Sequence, residues 1–144
     1  MLASDAISGA SDRLRQGLSP HLSDYACRAA EKITDGKYTQ IGVSPSFALS
    51  YTHDNATRPP EALSHGTKSA IYLSMRLALI DLLCHEKIPL CLDESLVYQD
   101  SERAEQILSL LIQLSNDKLQ TFLFTCHSRE RELLKDRDVN IIKL

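Results

Sequence analysis

The chain has 144 residues, 43% hydrophobic and 24% charged, with a net charge of -3. That length holds one domain with a real core, and the composition is that of a globular protein. The negative balance excludes a basic nucleic-acid clamp, and no apolar run is long enough to span a membrane.

Residues 1–9 have neither a basic start nor a long apolar run, so the expectation is that they are not a signal peptide. Residues 1–17 are small and polar and predict a weakly held helix or a frayed end. Ser19 and Pro20 can cap and open a new helix. Its stripe is Leu22, Tyr25, Ala26, Ala29, Ala30 and Ile33, ended by Asp35-Gly36. Residues 37–43 alternate and predict a strand. A second strand, residues 47–51, follows the turn Ser44-Pro45-Ser46, so the two form an antiparallel pair. Residues 53–62, with Asn, Thr and two prolines, predict a loop.

Next comes the stretch that organises the rest, Leu63-Ser64-His65-Gly66-Thr67 and the helix 68–83. Ser64 or Thr67 can cap the first free N–H groups, and Gly66 lets another backbone come close. Such an end is also a ready phosphate site. Ile71, Tyr72, Leu73, Met75, Leu77, Ala78, Leu79, Ile80, Leu82 and Leu83 make the helix apolar on nearly every side, which predicts burial.

Residues 88–92 are an apolar run ending in Asp93-Glu94, which predicts a central parallel strand covered on both faces. A helix over 101–114, capped by Asp100 or Ser101, leads to a second apolar strand, 120–125, ending at Cys126-His127. A short helix, 129–134, and a last strand, 139–144, complete the order strand, helix, strand, helix, strand. That order predicts a parallel sheet with helical crossovers. The fold class is therefore α/β, a short mainly parallel sheet with flanking helices, preceded by a helix and a small antiparallel pair.

Four cysteines, Cys27, Cys84, Cys91 and Cys126, form no C-x-x-C pair. Three sit in apolar runs, and the expectation is buried, reduced thiols in a cytoplasmic protein. A zinc site from Cys91, Cys126 and His127 is the alternative that ranks behind it.

Ligands of open parallel sheets sit beyond the carboxyl ends of the strands. Two strands here end in Asp93-Glu94 and in His127. An acidic pair at such a place suits a Mg-nucleotide site: the first carboxylate holds the metal and the second takes the proton of the attacking water. A neighbouring histidine can hold the water or the γ-phosphate.

Taken together, LSHGTKSAIYLSMRLAL (63–79), IPLCLDESLVYQDSER (88–103) and QTFLFTCHSRE (120–130) resemble the C-terminal lobe of an ABC-type ATPase head. Within that superfamily they resemble the SMC and SbcC branch, especially YhaN-like AAA-family ATPases. ITDGKYTQI (33–41) also resembles the segment between the returning coiled coil and the signature motif. The resemblance implies that Ser64 and Gly66 are the signature motif, which contacts a nucleotide held by the opposite subunit. It implies that Asp93 is the Walker B aspartate at the metal, Glu94 the catalytic glutamate, Asp100 the D-loop aspartate and His127 the switch histidine. Glu94-Ser95 departs from the Asp-Pro that YhaN-like proteins often show, and glutamate suits the base role at least as well.

The cofactors implied are ATP and Mg2+. The chain contains no G-x-x-x-x-G-K-[ST], so nothing in it cradles a β-phosphate. The expectation is half of a head: residues 1–19 the end of a coiled coil or a flexible lead-in, residues 20–144 the lobe. It would be inactive alone and an ATPase in the complete protein. The implied partners are the N-terminal Walker A lobe, a second head, and, by analogy with DNA repair and chromosome-maintenance relatives, DNA and a nuclease subunit. The alternative is a non-catalytic interaction module, or a degenerate remnant, that binds no nucleotide alone.

Overall fold

Leu22, Ala26, Ala30 and Ile33 recur at three- and four-residue spacing and are fully buried, so the helix that carries them is fixed by one apolar stripe. The computed structural model describes residues 2–38, 40–53, 56–84, 86–117 and 119–143. Met1, Thr39, Asp54, Asn55, His85, Lys118 and Leu144 lie outside the described residues. Helix α1 (Leu2–Ile33) is followed by strands β1 (Gln40–Val43), β2 (Leu49–His53) and β3 (Ala56–Arg58) and a 3₁₀ turn (Pro60–Ala62). Then come α2 (His65–Leu83), β4 (Ile88–Asp93), α3 (Ser101–Asp117), β5 (Leu119–Phe124) and α4 (Ser128–Leu134). The α/β class holds: one antiparallel sheet, order β1-β2-β3, and one parallel pair, β4-β5.

The free edge of β1 is closed by α1 rather than by a strand. Ser19, Ser23 and Cys27 lie four residues apart on one helix face. The Ser19 hydroxyl donates to the Val43 carbonyl, and Ser23 Oγ accepts the Val43 N–H at 2.9 Å. Cys27 Sγ accepts the Ile41 N–H at 3.0 Å. Three small polar side chains thus satisfy backbone groups that an open edge would leave unpaired.

Helix α2 lies between two cores. Ala70, Leu73 and Leu77 pack with Leu90, Leu92, Leu96, Ile107 and Leu111 of the parallel layer. Ile71, Met75 and Ala78 pack with Leu22, Ala26, Ile41 and Tyr51 of the antiparallel layer. Half of the apolar belt is buried as expected, namely Ile71, Leu73, Met75, Leu77 and Ala78; Leu79, Ile80 and Leu82 are half-buried, and Tyr72 and Leu83 are 45% and 54% exposed.

Several expectations need correction. Pro20 does not open a new helix, because α1 runs through it. A mid-helix proline loses one ladder bond, and here the buried stripe and the β1 bonds hold the segment beyond it. The loop over 53–62 contains β3, which pairs with β2 through Tyr51–Arg58 and Thr52–Thr57. Residues 139–143 are not a strand. A strand exists only by pairing, and no ladder reaches these residues; Ile141 and Ile142 are 47% and 74% exposed. Nor is β4 covered on both faces: Leu90 and Leu92 are buried while Cys91 is exposed. Strand side chains alternate between faces, and only one face of this two-stranded sheet meets a helix layer. The cysteines are free but not buried, Cys27 and Cys84 being half-buried and Cys91 and Cys126 exposed.

Candidate functional site

The register of β4 and β5 brings the two strand ends together. Asp93 pairs with Phe124, and Glu94, the next residue, donates its N–H to the Phe124 carbonyl at 3.0 Å. Glu94 has φ of 46°, left-handed for a residue with a side chain. Such a conformation costs about 1–3 kcal/mol and persists only where the surroundings impose it. Here it turns the Glu94 side chain across the end of β5. Its Oε1 accepts the Cys126 N–H at 2.7 Å, and its Oε2 stands 3.3 Å from His127 Nε2. Oε2 is buried against His127 and carries no hydrogen bond among the described residues.

The Cys126 backbone N–H, with the Cys126 side chain and the His127 charge behind it, holds the Glu94 carboxyl below the usual carboxylate range. The hydrogen bond and charge of Glu94 push the Cys126 thiol up in turn. The His127 N–H donates to Thr125 Oγ1 at 3.1 Å, which fixes the loop between β5 and α4. Asp93, exposed at the end of β4, and Glu94 line one open groove with Cys126 and His127. The groove continues over the apolar side chains of Phe122 and Phe124.

Ser64 and Gly66 form a second constellation. Ser64 caps α2: its Oγ accepts the Thr67 N–H at 3.3 Å. Gly66 lies against the loop between β4 and α3. A Cβ at Gly66 would stand 2.4 Å from the Tyr98 carbonyl oxygen, so only glycine fits without movement. Gln99 Nε2 donates to the Gly66 carbonyl at 2.9 Å, and the Tyr98 and His65 rings lie 5.5 Å apart. Asp100 closes that loop as the cap of α3: its Oδ1 accepts the Arg103 N–H at 2.8 Å. That bond holds the Asp100 carboxyl below its ordinary range. The structure therefore joins Glu94 to His127, and Gly66 to the loop ending at Asp100. Among the described residues no hydrogen bond or ion pair joins Ser64 to Glu94 or His127.

The sequence reading missed what ties the two constellations together. Arg129, two residues past His127, donates to the Leu96 carbonyl at 2.7 Å and to the Gln99 carbonyl at 2.6 Å. It also pairs with Glu130 at 2.6 Å, and Glu130 is 1% exposed. Thus α4 holds the β4–α3 loop, and that loop holds the start of α2. Nothing in Ser-Arg-Glu-Arg-Glu distinguishes this pair from a solvated helix face; the one usable signal was the Leu133-Leu134 anchor beyond it.

No family model matches the sequence. The chain is 33% identical over 116 residues to the uncharacterized protein YhaN of Bacillus subtilis, covering 78% of this chain and 12% of YhaN. It is 25% identical over 131 residues to the DNA double-strand break repair Rad50 ATPase of Methanocaldococcus jannaschii, covering 90% of this chain and 13% of that protein. The chain thus spans about one eighth of the length of these curated relatives. Among solved structures, a chain from work on ATP-driven dimerization and DNA-stimulated activation of SMC ATPases superposes with a TM-score of 0.68 at 12% identity. The match covers 85% of this chain and 77% of that one. The SMC head domain from Thermotoga maritima superposes with a TM-score of 0.60 at 20% identity, covering 87% of this chain and 44% of that one. The fold is that of an SMC-type head fragment, and the sequence is similar to YhaN and Rad50.

Proposed function

We propose that this chain is the C-terminal lobe of an ATP-binding and ATP-hydrolysing head of the SMC, SbcC and YhaN-like class. The observation that carries the reading is the Glu94–His127 pair: a carboxylate with one oxygen held by the Cys126 N–H and the other, without a hydrogen bond among the described residues, beside an imidazole, at the carboxyl ends of adjacent parallel strands. Glu94 is the base that takes the proton of the attacking water. His127 orients that water or the γ-phosphate. Asp93, on the exposed end of β4, holds Mg2+ through water. When bound, Mg2+ neutralises charge on the phosphates of the substrate ATP. Ser64 and the N–H groups at the start of α2 face a nucleotide held by a second head, and Asp100 lies at the same junction.

Further support comes from the surfaces left open. Phe122 and Phe124 are 42% and 48% exposed on β5. A Walker A lobe supplied by the parent protein would cover them and complete the sheet. Residues 5–17 of α1 are exposed except for half-buried Ser11, as suits a helix leaving the head toward a coiled coil. Action on DNA, in repair or chromosome maintenance, is the extension of this reading to the whole protein.

The test is Glu94→Gln in the complete protein. The amide keeps the shape but cannot accept the proton. ATP turnover is expected to fall at least about 100-fold, the size of a general-base contribution, while ATP still drives the heads together. Hydrolysis at the parent rate removes Glu94 from the role assigned to it.

A further inference from the structure

Among the described residues one set of metal-capable side chains converges: Glu94, Cys126 and His127 each offer a ligand atom, all within 4.8 Å of one another. Cys91 is not part of the set. We propose that Glu94, Cys126 and His127 form a site for a thiophilic divalent cation of the zinc class, separate from the magnesium held at Asp93.

The donor set decides the class of ion. One carboxylate oxygen, one thiolate sulfur and one imidazole nitrogen suit zinc. Magnesium prefers oxygen ligands only and keeps most of its waters. One pair of the set already has the spacing that zinc requires, and Cys126 Sγ lies within 4.8 Å of both. Ligand atoms about 2.0–2.3 Å from a zinc ion lie about 3.3–3.8 Å from each other. Glu94 Oε2 and His127 Nε2 already stand 3.3 Å apart.

The site is also preorganised. The Cys126 N–H anchors Glu94 through Oε1, which leaves Oε2 for the ion. The Thr125 hydroxyl anchors the His127 backbone. Cys126 and His127 are exposed and Glu94 is half-buried with its Oε2 covered, so an ion enters from the side of Cys126 and His127. Three protein ligands leave a fourth position for water, the arrangement of an accessible zinc rather than a closed structural one.

The consequence rests on the reading of Glu94 and His127 as the hydrolytic pair. An ion on both removes the base and the histidine together, so zinc inhibits turnover and Cys126 makes the head sensitive to it.

The test uses the 144-residue chain, without nucleotide, titrated with Co2+ as the optical probe. Thiolate-to-cobalt charge-transfer absorption is expected, and Zn2+ displaces it. Cys91→Ser, an exposed cysteine outside the set, keeps the signal. Cys126→Ser abolishes it. His127→Ala weakens the affinity at least about tenfold, since losing even an outer-sphere partner costs about 10–100-fold. Both variants alter exposed side chains, and an unchanged circular dichroism spectrum shows that they fold. No charge-transfer signal, or a signal that survives Cys126→Ser or follows Cys91→Ser instead, overturns the proposal. Because binding is read without nucleotide, its failure leaves the ATPase reading standing. Failure of Glu94→Gln to stop turnover in turn leaves the cation site standing.

Discussion

Replacing Arg129 by Ala is expected to destabilise the chain by about 3 kcal/mol. Glu130 is 1% exposed, and its charge is met by Arg129 through Oε1. Thr125 Oγ1 donates to Oε2 only at 3.4 Å. Removing one partner of a buried ion pair leaves an uncompensated charge, which costs about 3–5 kcal/mol. The lower end applies here because Arg129 is 29% exposed, so some water reaches the pair. The same change frees the Leu96 and Gln99 carbonyls. A double variant, Arg129→Ala with Glu130→Ala, removes both charges and is expected to recover part of the loss. Urea denaturation at constant m reads both. A single variant within about 0.5 kcal/mol of the parent shows that Glu130 is solvated without Arg129, and the link between α4 and the β4–α3 loop then fails.

Gly66→Ala is the second. Two effects oppose each other. Alanine in a helix gains up to about 1 kcal/mol over glycine. The added methyl meets the Tyr98 carbonyl oxygen at 2.4 Å, and that neighbour is backbone, which cannot rotate away. Overpacking costs about 1–3 kcal/mol, and a clash with backbone belongs to the upper half of that range, so after the helix gain the net change is a loss of about 1–2 kcal/mol. Gly17→Ala is the control: nothing lies within 4 Å of that site, so the propensity gain stands alone and helicity rises. If Gly66→Ala stabilises like Gly17→Ala, the start of α2 and the Tyr98 loop are not in contact. Under the proposed function the variant also displaces Gln99 and Asp100 from the signature end of α2, and ATP-driven pairing of heads weakens.

The parts legible in the sequence share a physical cause. Residues 71–80 are apolar around the helix because α2 touches two cores, and no solvated helix needs that pattern. The placement of Glu94 and His127 at neighbouring strand ends was visible because each follows an apolar strand. Features that depend on contacts between distant elements left no trace. Arg129 and Glu130 sit in a run of alternating charge that suits a solvated helix equally well, and only the fold brings Leu96 and Gln99 to them. Cys91 lies in an apolar run, yet its face of β4 has no layer over it. Residues 139–143 are apolar enough for a strand but pair with neither β4 nor β5. Strand β3, with the sequence Ala56-Thr57-Arg58, is held by its ladder with β2 rather than by its own propensity.

The central claim is that this chain supplies one side of a nucleotide site and lacks the other. Calorimetry with Mg-ATP tests it most directly, first on the chain alone and then after adding the Walker A lobe of its parent protein. The account predicts no binding by the chain alone and clear binding in the mixture, because the β-phosphate cradle and its lysine are absent from these 144 residues. Tight binding by the chain alone contradicts it, since the nucleotide would then occupy a different pocket. Absence of binding in the mixture contradicts it as well, and turns the reading to an interaction module.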